Sequence, residues 1–234
     1  MSVEENRDIT GELSALDRVY TALRGNILDL TFLPGRSISA NEISALMKVS
    51  RTPVQGAFIR LSREGLVQVL PQKGTIISRI DLDRAHQERF LRESLELAAL
   101  DLFLPRCKAD DIGQLSALIE LQQEKVAQKD FAGLIDYDDA FHRLIFEIAG
   151  QPLCWEAVES MSGHYRRCRL MTIWNTSLTS DVISQHRALV DGVASGDLEG
   201  TRKKMEHHLR KLSVEEGLLL SSYPNFFEKN PRQT

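Results

Sequence analysis

Asp138 and His142 lie four residues apart, so on a helix they share one face. His186 and His208 sit on two later stretches with helical periodicity. Three imidazoles and a carboxylate are borderline donors that suit Zn, Ni, Co, Fe or Mn, and the core of a helical bundle is where separate helices bring such side chains together. Dispersed histidines are as readily plain core or surface residues, so spacing alone leaves both readings open. A second stretch offers chemistry of another kind. Val49-Ser50-Arg51-Thr52-Pro53-Val54-Gln55-Gly56-Ala57 is a polar, cation-bearing helix start held between a short amphipathic helix and a hairpin, which is how a chain offers a helix to the DNA major groove. Arg51 at its mouth can reach a guanine edge through two parallel hydrogen bonds, or a phosphate through one. Ser50 and Thr52 serve as caps, as phosphate donors, or as both. Arg36, just past the first helix, is a candidate phosphate contact, and Lys73 and Gly74 at the hairpin tip are candidate wing contacts to the backbone or minor groove.

The elements that must position these residues follow from pattern. Ser14 with Asp17 three residues on predicts a cap, and Leu16, Val19, Leu23, Ile27 and Leu30 then recur at helical spacing. Ser39 and Glu42 form a capping box for a short second helix. A turn of three or four residues leads to the third, with Thr52 expected as its cap and Pro53 at its first position. Gly65 stops that helix, and Leu66 to Leu70 and Thr75 to Arg79 read as the two strands of a hairpin. Helix-turn-helix plus hairpin is a winged helix. From Leu82 onward helical periodicity takes over, and about six helices with short connections predict an antiparallel bundle; the fourth is expected to run unbroken from about Leu153 to Trp174. The expected fold is therefore mostly α: a winged-helix domain over 1–79, a linker over 80–84, a helical domain over 85–221 and a loose tail over 222–234.

Composition permits this reading. The 234 residues are 42% hydrophobic and 26% charged, ordinary for a globular chain of one or two domains. The net charge of −4 hides an asymmetry, because Pro34 to Arg79 holds seven cations against Glu42 and Glu64, a local excess of +5. Such a basic module is what a nucleic-acid contact requires. Cys107, Cys154 and Cys168 form no C-x-x-C and fit a reducing compartment. The N-terminus lacks a signal-peptide core and no apolar run suffices for a membrane span, so a soluble, cytoplasmic protein with no membrane partner is expected.

Pro34-Gly35, Val49 to Val54, Ala57, Arg60-Leu61, Glu64 to Val67 and Lys73-Gly74 together resemble the winged-helix domain of the GntR family. Arg92, Leu95-Glu96, Ala98-Ala99, Asp138, Phe141 to Arg143, His186 to Ala188, Met205 and His208-Leu209 are similar to the all-helical effector domain of its FadR-type, or FCD, branch. The resemblance implies a homodimeric repressor or activator that binds a palindromic operator in double-stranded DNA and answers to a small molecule. It also implies a divalent metal ion, Zn or Ni foremost, on Asp138, His142, His186 and His208, with His208 preferred to its neighbour His207. Arg92, inward-facing by the same analogy, could clamp a small carboxylate effector such as a sugar acid or dicarboxylate, or instead pair with Glu88 or Glu96. His164, Arg166 and Arg169 are further candidates for the pocket wall.

Two departures stand out. Gln55-Gly56 replaces the family's usual arginine and glutamate, and Asn41 stands where relatives often carry a DNA-touching arginine. Glutamine suits adenine better than guanine, so the operator is expected to depart from the family consensus. Gly56 weakens its helix by about 1 kcal/mol relative to alanine unless close approach to DNA makes the missing side chain useful. Open-site metals also hydrolyse substrates, so a metal-dependent hydrolase is the alternative. Against it, the chain has no H-E-x-x-H, nucleophile elbow or glycine-rich phosphate loop. A third reading leaves the bundle as a purely structural dimerisation domain.

Overall fold

A computed structural model describes residues 13–70, 74–174, 176–210 and 212–228. The chain divides into two compact units between Arg79 and Ile80. In the first, α1 (Ala15–Leu28) starts where Ser14 accepts a hydrogen bond from the Asp17 amide, and α2 (Ala40–Met47) starts at a complete Ser39–Glu42 capping box. The third helix, α3 (Arg51–Arg63), begins earlier than the sequence suggests. Ser50, not Thr52, is its N-cap, and it makes no side-chain cap hydrogen bond. Pro53 therefore lies within the first turn, where a missing N–H is still harmless because those amides have no intrahelical acceptor. The strands β2 (Val67–Leu70) and β3 (Gly74–Ile77) pair antiparallel as expected, with Val67 opposite Ile77. A two-residue strand, β1 (Ser37–Ile38), adds to the other edge of β3 and makes the sheet three-stranded. Val19, Leu23, Ile27, Ile43, Val54, Leu61, Leu66 and Ile77 form the core beneath it.

The second unit is helical: α4 (Leu82–Phe103), α5 (Ala109–Gln128), α6 (Phe131–Ile148), α7 (Pro152–Ser160), α8 (Gly163–Ile173), α9 (Thr176–Ser195), α10 (Leu198–Leu209) and α11 (Leu212–Ser222). The expected fourth helix is thus two, and the sixth, expected from an Asp197 cap to about Leu220, is likewise two, α10 and α11. Between α7 and α8 the break has a cause outside the local sequence: the buried Glu88 carboxylate on α4 accepts from the amides of His164 at 2.8 Å and Tyr165 at 2.9 Å. A new helix start there has its orphan donors satisfied by an anion that also suits the helix dipole. The core runs from Leu100 and Phe103 through Phe141 and Phe146 to Leu189 and Met205. Among the described residues no helix is long and apolar enough to cross a membrane.

Two expectations are corrected at the ends of this unit. Asp81 caps α4, so 82–84 are helical rather than linker. The tail is not loose throughout: Ile80 donates to Phe226 O at 2.8 Å and accepts from the Glu228 amide at 2.9 Å, while Phe227 is buried. Residues 229–234 lie outside the described residues.

Lys48, the C-cap of α2, sits at φ 54°, in the left-handed region that glycine occupies without steric penalty. Lys48→Gly is expected to stabilise the first unit by about 0.5–1 kcal/mol, read as a higher urea midpoint for that unit.

Candidate functional site

The outer face of α3 carries Arg51, Thr52 and Gln55, all exposed, with Ser50 exposed at its start and Asn41 exposed on α2. Among the described residues Arg51 makes no ion pair that would compete with a ligand, whereas Arg36 and Arg60 are engaged. Arg36 pairs with Glu42 at 3.0 Å and lies over the Phe32 ring. Arg60 turns back to α1, over the Tyr20 ring and 3.0 Å from Asp17. Gly74 has a backbone reason for being glycine, with φ 95° and Ile38 O 3.3 Å from where a Cβ would stand. Lys73 lies outside the described residues. Gly56 is explained by packing within the unit, since a Cβ there would come within 2.6 Å of Leu16 Cδ1 on α1. Contact with DNA is not needed to account for it.

In the second unit, α6 brings Asp138 and His142, α9 brings His186 and α10 brings His208 to one place. Their ligand atoms lie within 4.8 Å of one another. His142 Nε2 and His186 Nε2 stand 3.2 and 3.3 Å from His208 Nε2. Each ring's other nitrogen faces an oxygen: His186 Nδ1 that of Gln122 at 2.8 Å, His208 Nδ1 that of Gln185 at 2.9 Å, and His142 Nδ1 that of Glu96 at 2.5 Å. The His142–Glu96 approach is poorly aligned, and both atoms lack a well-directed hydrogen-bond partner. At 2.5 Å, a shared proton is nonetheless what relieves lone-pair repulsion. Protons on the three Nδ1 atoms leave three Nε2 lone pairs converging.

Burial foremost holds His142 and His208 well below the usual imidazole range, with Arg92 adding to it at His142 and the two other imidazoles at His208. Burial also holds His186 below that range against the opposing Asp138 carboxylate, so neutral rings, the form a cation needs, are favoured. An ion 2.0–2.1 Å from two nitrogens separates them by about 3.0 Å at a right angle and about 3.4 Å at a tetrahedral one, which brackets the observed spacings. The donor set and its oriented outer shell fit a divalent ion. Glu96, Gln122 and Gln185 were not predicted from the sequence, because only folding places them against the rings.

Asp138 and the adjacent Asp139 also anchor a buried charge network. Arg169 on α8 forks across the pair, reaching Asp138 Oδ2 and, at 2.8 Å, Asp139 Oδ1. Arg92 on α4 pairs with Glu96 at 2.5 Å and reaches Asp139 at 3.2 Å, and Arg166 binds Asp139 and Asp136. Burial works to raise both aspartates, but the guanidiniums around them prevail and hold both below the usual carboxylate range. Beside this network opens a recess of about 490 Å³, counting its mouth. Arg92, Asp138, Arg169 and His208 are among its lining residues. His164 does not line it: its Nδ1 accepts from the Asp81 amide at 2.9 Å. Thr172 and Tyr165, which do line the recess, carried no sequence signal.

A winged helix with an exposed cation at the start of its third helix, followed by an all-helical unit, is the arrangement of a DNA-binding transcriptional regulator. Residues 15–77 match the bacterial regulatory proteins of the gntR family and residues 89–211 match the FCD domain, and the chain belongs to this GntR family, in its FCD branch. It is 36% identical over 193 residues to an uncharacterised HTH-type transcriptional regulator of an unstable DNA locus in Streptomyces ambofaciens, spanning 82% of this chain and 80% of that one. It is 27% identical over 213 residues to the HTH-type transcriptional repressor RspR of Escherichia coli K12, spanning 91% and 92%. The fold is shared with the solved structure of E. coli McbR/YncC, at TM-score 0.75 and 19% identity over 91% of this chain and 100% of that one. These relatives and families are transcriptional regulators, not enzymes, so the hydrolase alternative is set aside.

Asp139 neutralises three guanidiniums at once, so removing its charge leaves them repelling one another in a poorly solvated place. Asp139→Asn is expected to lower stability by on the order of 3 kcal/mol in a urea melt, while Asp136→Asn, at an exposed carboxylate, changes it little.

Proposed function

We propose that this regulator binds a palindromic operator as a homodimer through its α3 helices, as a repressor, and that a small organic acid held beside a divalent ion in the helical unit controls that binding. Convergence of three neutral Nε2 atoms and the Asp138 carboxylate is the observation that carries the metal-linked part. The nitrogen-rich, borderline donor set favours Zn or Ni. Four protein donors leave positions open on an octahedral ion, and a bound ion would supply charge and a coordination position for a carboxylate. Arg92 and Arg169 would orient that carboxylate, and Glu96, Gln122 and Gln185 hold the imidazoles in the donor tautomer. The name of RspR, a repressor similar over nine-tenths of the chain, supports the repressor reading. Exposure of Arg51, Thr52 and Gln55 on one face supports their role in base reading, with Ser50, Asn41, Arg36, Lys73 and Gly74 as flanking contacts.

Two variants test the two halves. Against an operator selected from a random DNA library, Arg51→Ala is expected to lose about 5- to 150-fold in affinity per half-site, corresponding to about 1–3 kcal/mol, in fluorescence anisotropy at fixed salt. Unchanged affinity would show that α3 is not the reading helix. Incubated with Zn or Ni and desalted, the wild-type chain is expected to retain one ion per protomer by mass spectrometry and His142→Ala to retain none. A wild-type chain that retains no ion overturns the metal site.

A further inference from the structure

The lining of the recess is chemically mixed. Beside its ionic and metal-ligating groups, Ile135, Ile173, Val182 and Leu209 supply aliphatic wall, each at most 7% exposed. Two hydroxyl-bearing side chains, Tyr165 and Thr172, complete the lining, and Thr172 Oγ1 is buried without a hydrogen-bond partner. Resting on the reading of this recess as the effector site, we propose that the effector is a monocarboxylate with a compact apolar body, a branched aliphatic or single-ring aromatic acid. Its head lies beside Arg169 and His208, and its body lies against the four aliphatic residues.

This departs from the sugar acid or dicarboxylate that the sequence suggests. A polyhydroxylated acid carries four or five hydroxyls past the head, and among the described residues the wall offers two hydroxyl partners, Tyr165 and Thr172. Each hydroxyl buried without a partner weakens binding by roughly tenfold. A second carboxylate fares worse, because among the described residues the cations of the lining, Arg92 and Arg169, are already matched by Glu96, Asp138 and Asp139. An apolar body instead replaces water on the surfaces that gain most from losing it. One hydrogen-bonding substituent is accommodated, at Thr172.

Isothermal titration calorimetry of the full chain, with and without one equivalent of Zn, separates the readings. The ligands are 3-methylbutanoate, benzoate and phenylacetate against gluconate, succinate and citrate, with 3-methylbutanamide as the uncharged control. At least one apolar monocarboxylate is expected to bind tenfold or more tightly than every acid of the second group, with a negative heat-capacity change, and the amide is expected not to bind. Ile173→Thr is expected to weaken that acid about tenfold without altering Zn retention. Tighter binding of gluconate, succinate or citrate overturns the apolar-body inference but leaves the effector site standing. Failure of every acid to bind overturns the effector-site reading, and the inference with it.

Discussion

Two adjacent carboxylates on one helix, Asp138 buried and Asp139 half-buried, are the constraint around which the second unit is arranged. Asp138 and Asp139 could not both remain ionised in an apolar interior, since burial and mutual repulsion each favour the neutral acid. Charge has to come to them, and it comes from two directions: Arg92 on α4 and Arg166 and Arg169 on α8. Displacing either helix would strand a buried charge, a far larger penalty than the pairs return as net stability. The network therefore fixes arrangement more than it adds to stability. It also holds Asp138 where the imidazoles from α9 and α10 converge.

What was legible in the sequence was whatever depends on near neighbours along the chain. Ser14 with Asp17, and Ser39 with Glu42, cap their helices as spacing requires. The i,i+4 relation of Asp138 and His142 survives into the fold because α6 is continuous across both. Local reasoning failed where a distant residue decides the matter. Glu88 starts α8 from 76 residues away, so an apparently unbroken helical pattern from Leu153 to Trp174 is cut in two. Phe227 looks like tail until the Ile80 backbone is seen to pair beside it. Gly56 reads as a weak point in α3 until Leu16 is placed against it. β1, two residues long, has no periodicity to detect.

The two units show opposite uses of charge. In the first, acids are spent on the inner cations: Glu64 accepts from Tyr20 at 2.5 Å and from Arg24 at 2.9 Å, and Asp17 takes Arg60. Arg51 is left outward without such a partner, so its desolvation on meeting an anion breaks no intramolecular pair. In the second unit the cations nearest the recess are already matched by carboxylates. Any acid entering there competes with Asp138 and Asp139 for Arg169, which makes the site selective about what accompanies the carboxylate rather than about the carboxylate alone.

That selectivity sits on α8, and α8 reaches further than the recess. Arg169 and Thr172 face the recess from its C-terminal half, while at its start His164 takes the Asp81 amide and, with Tyr165, binds Glu88. Eight residues separate His164 from Thr172, about 12 Å along a helix axis. If the recess takes a ligand as proposed, α8 is the element that joins Arg169 to the Asp81 amide. Asp81 follows Ile80, whose backbone is held by the Phe226 and Glu228 segment, and Ile80 follows the last residue of the winged-helix unit. Residues that line the recess and the residue that takes the cap amide of the helical unit's opening helix thus belong to one helix, which makes α8 the shortest contiguous route by which the proposed ligand could bias the start of that unit.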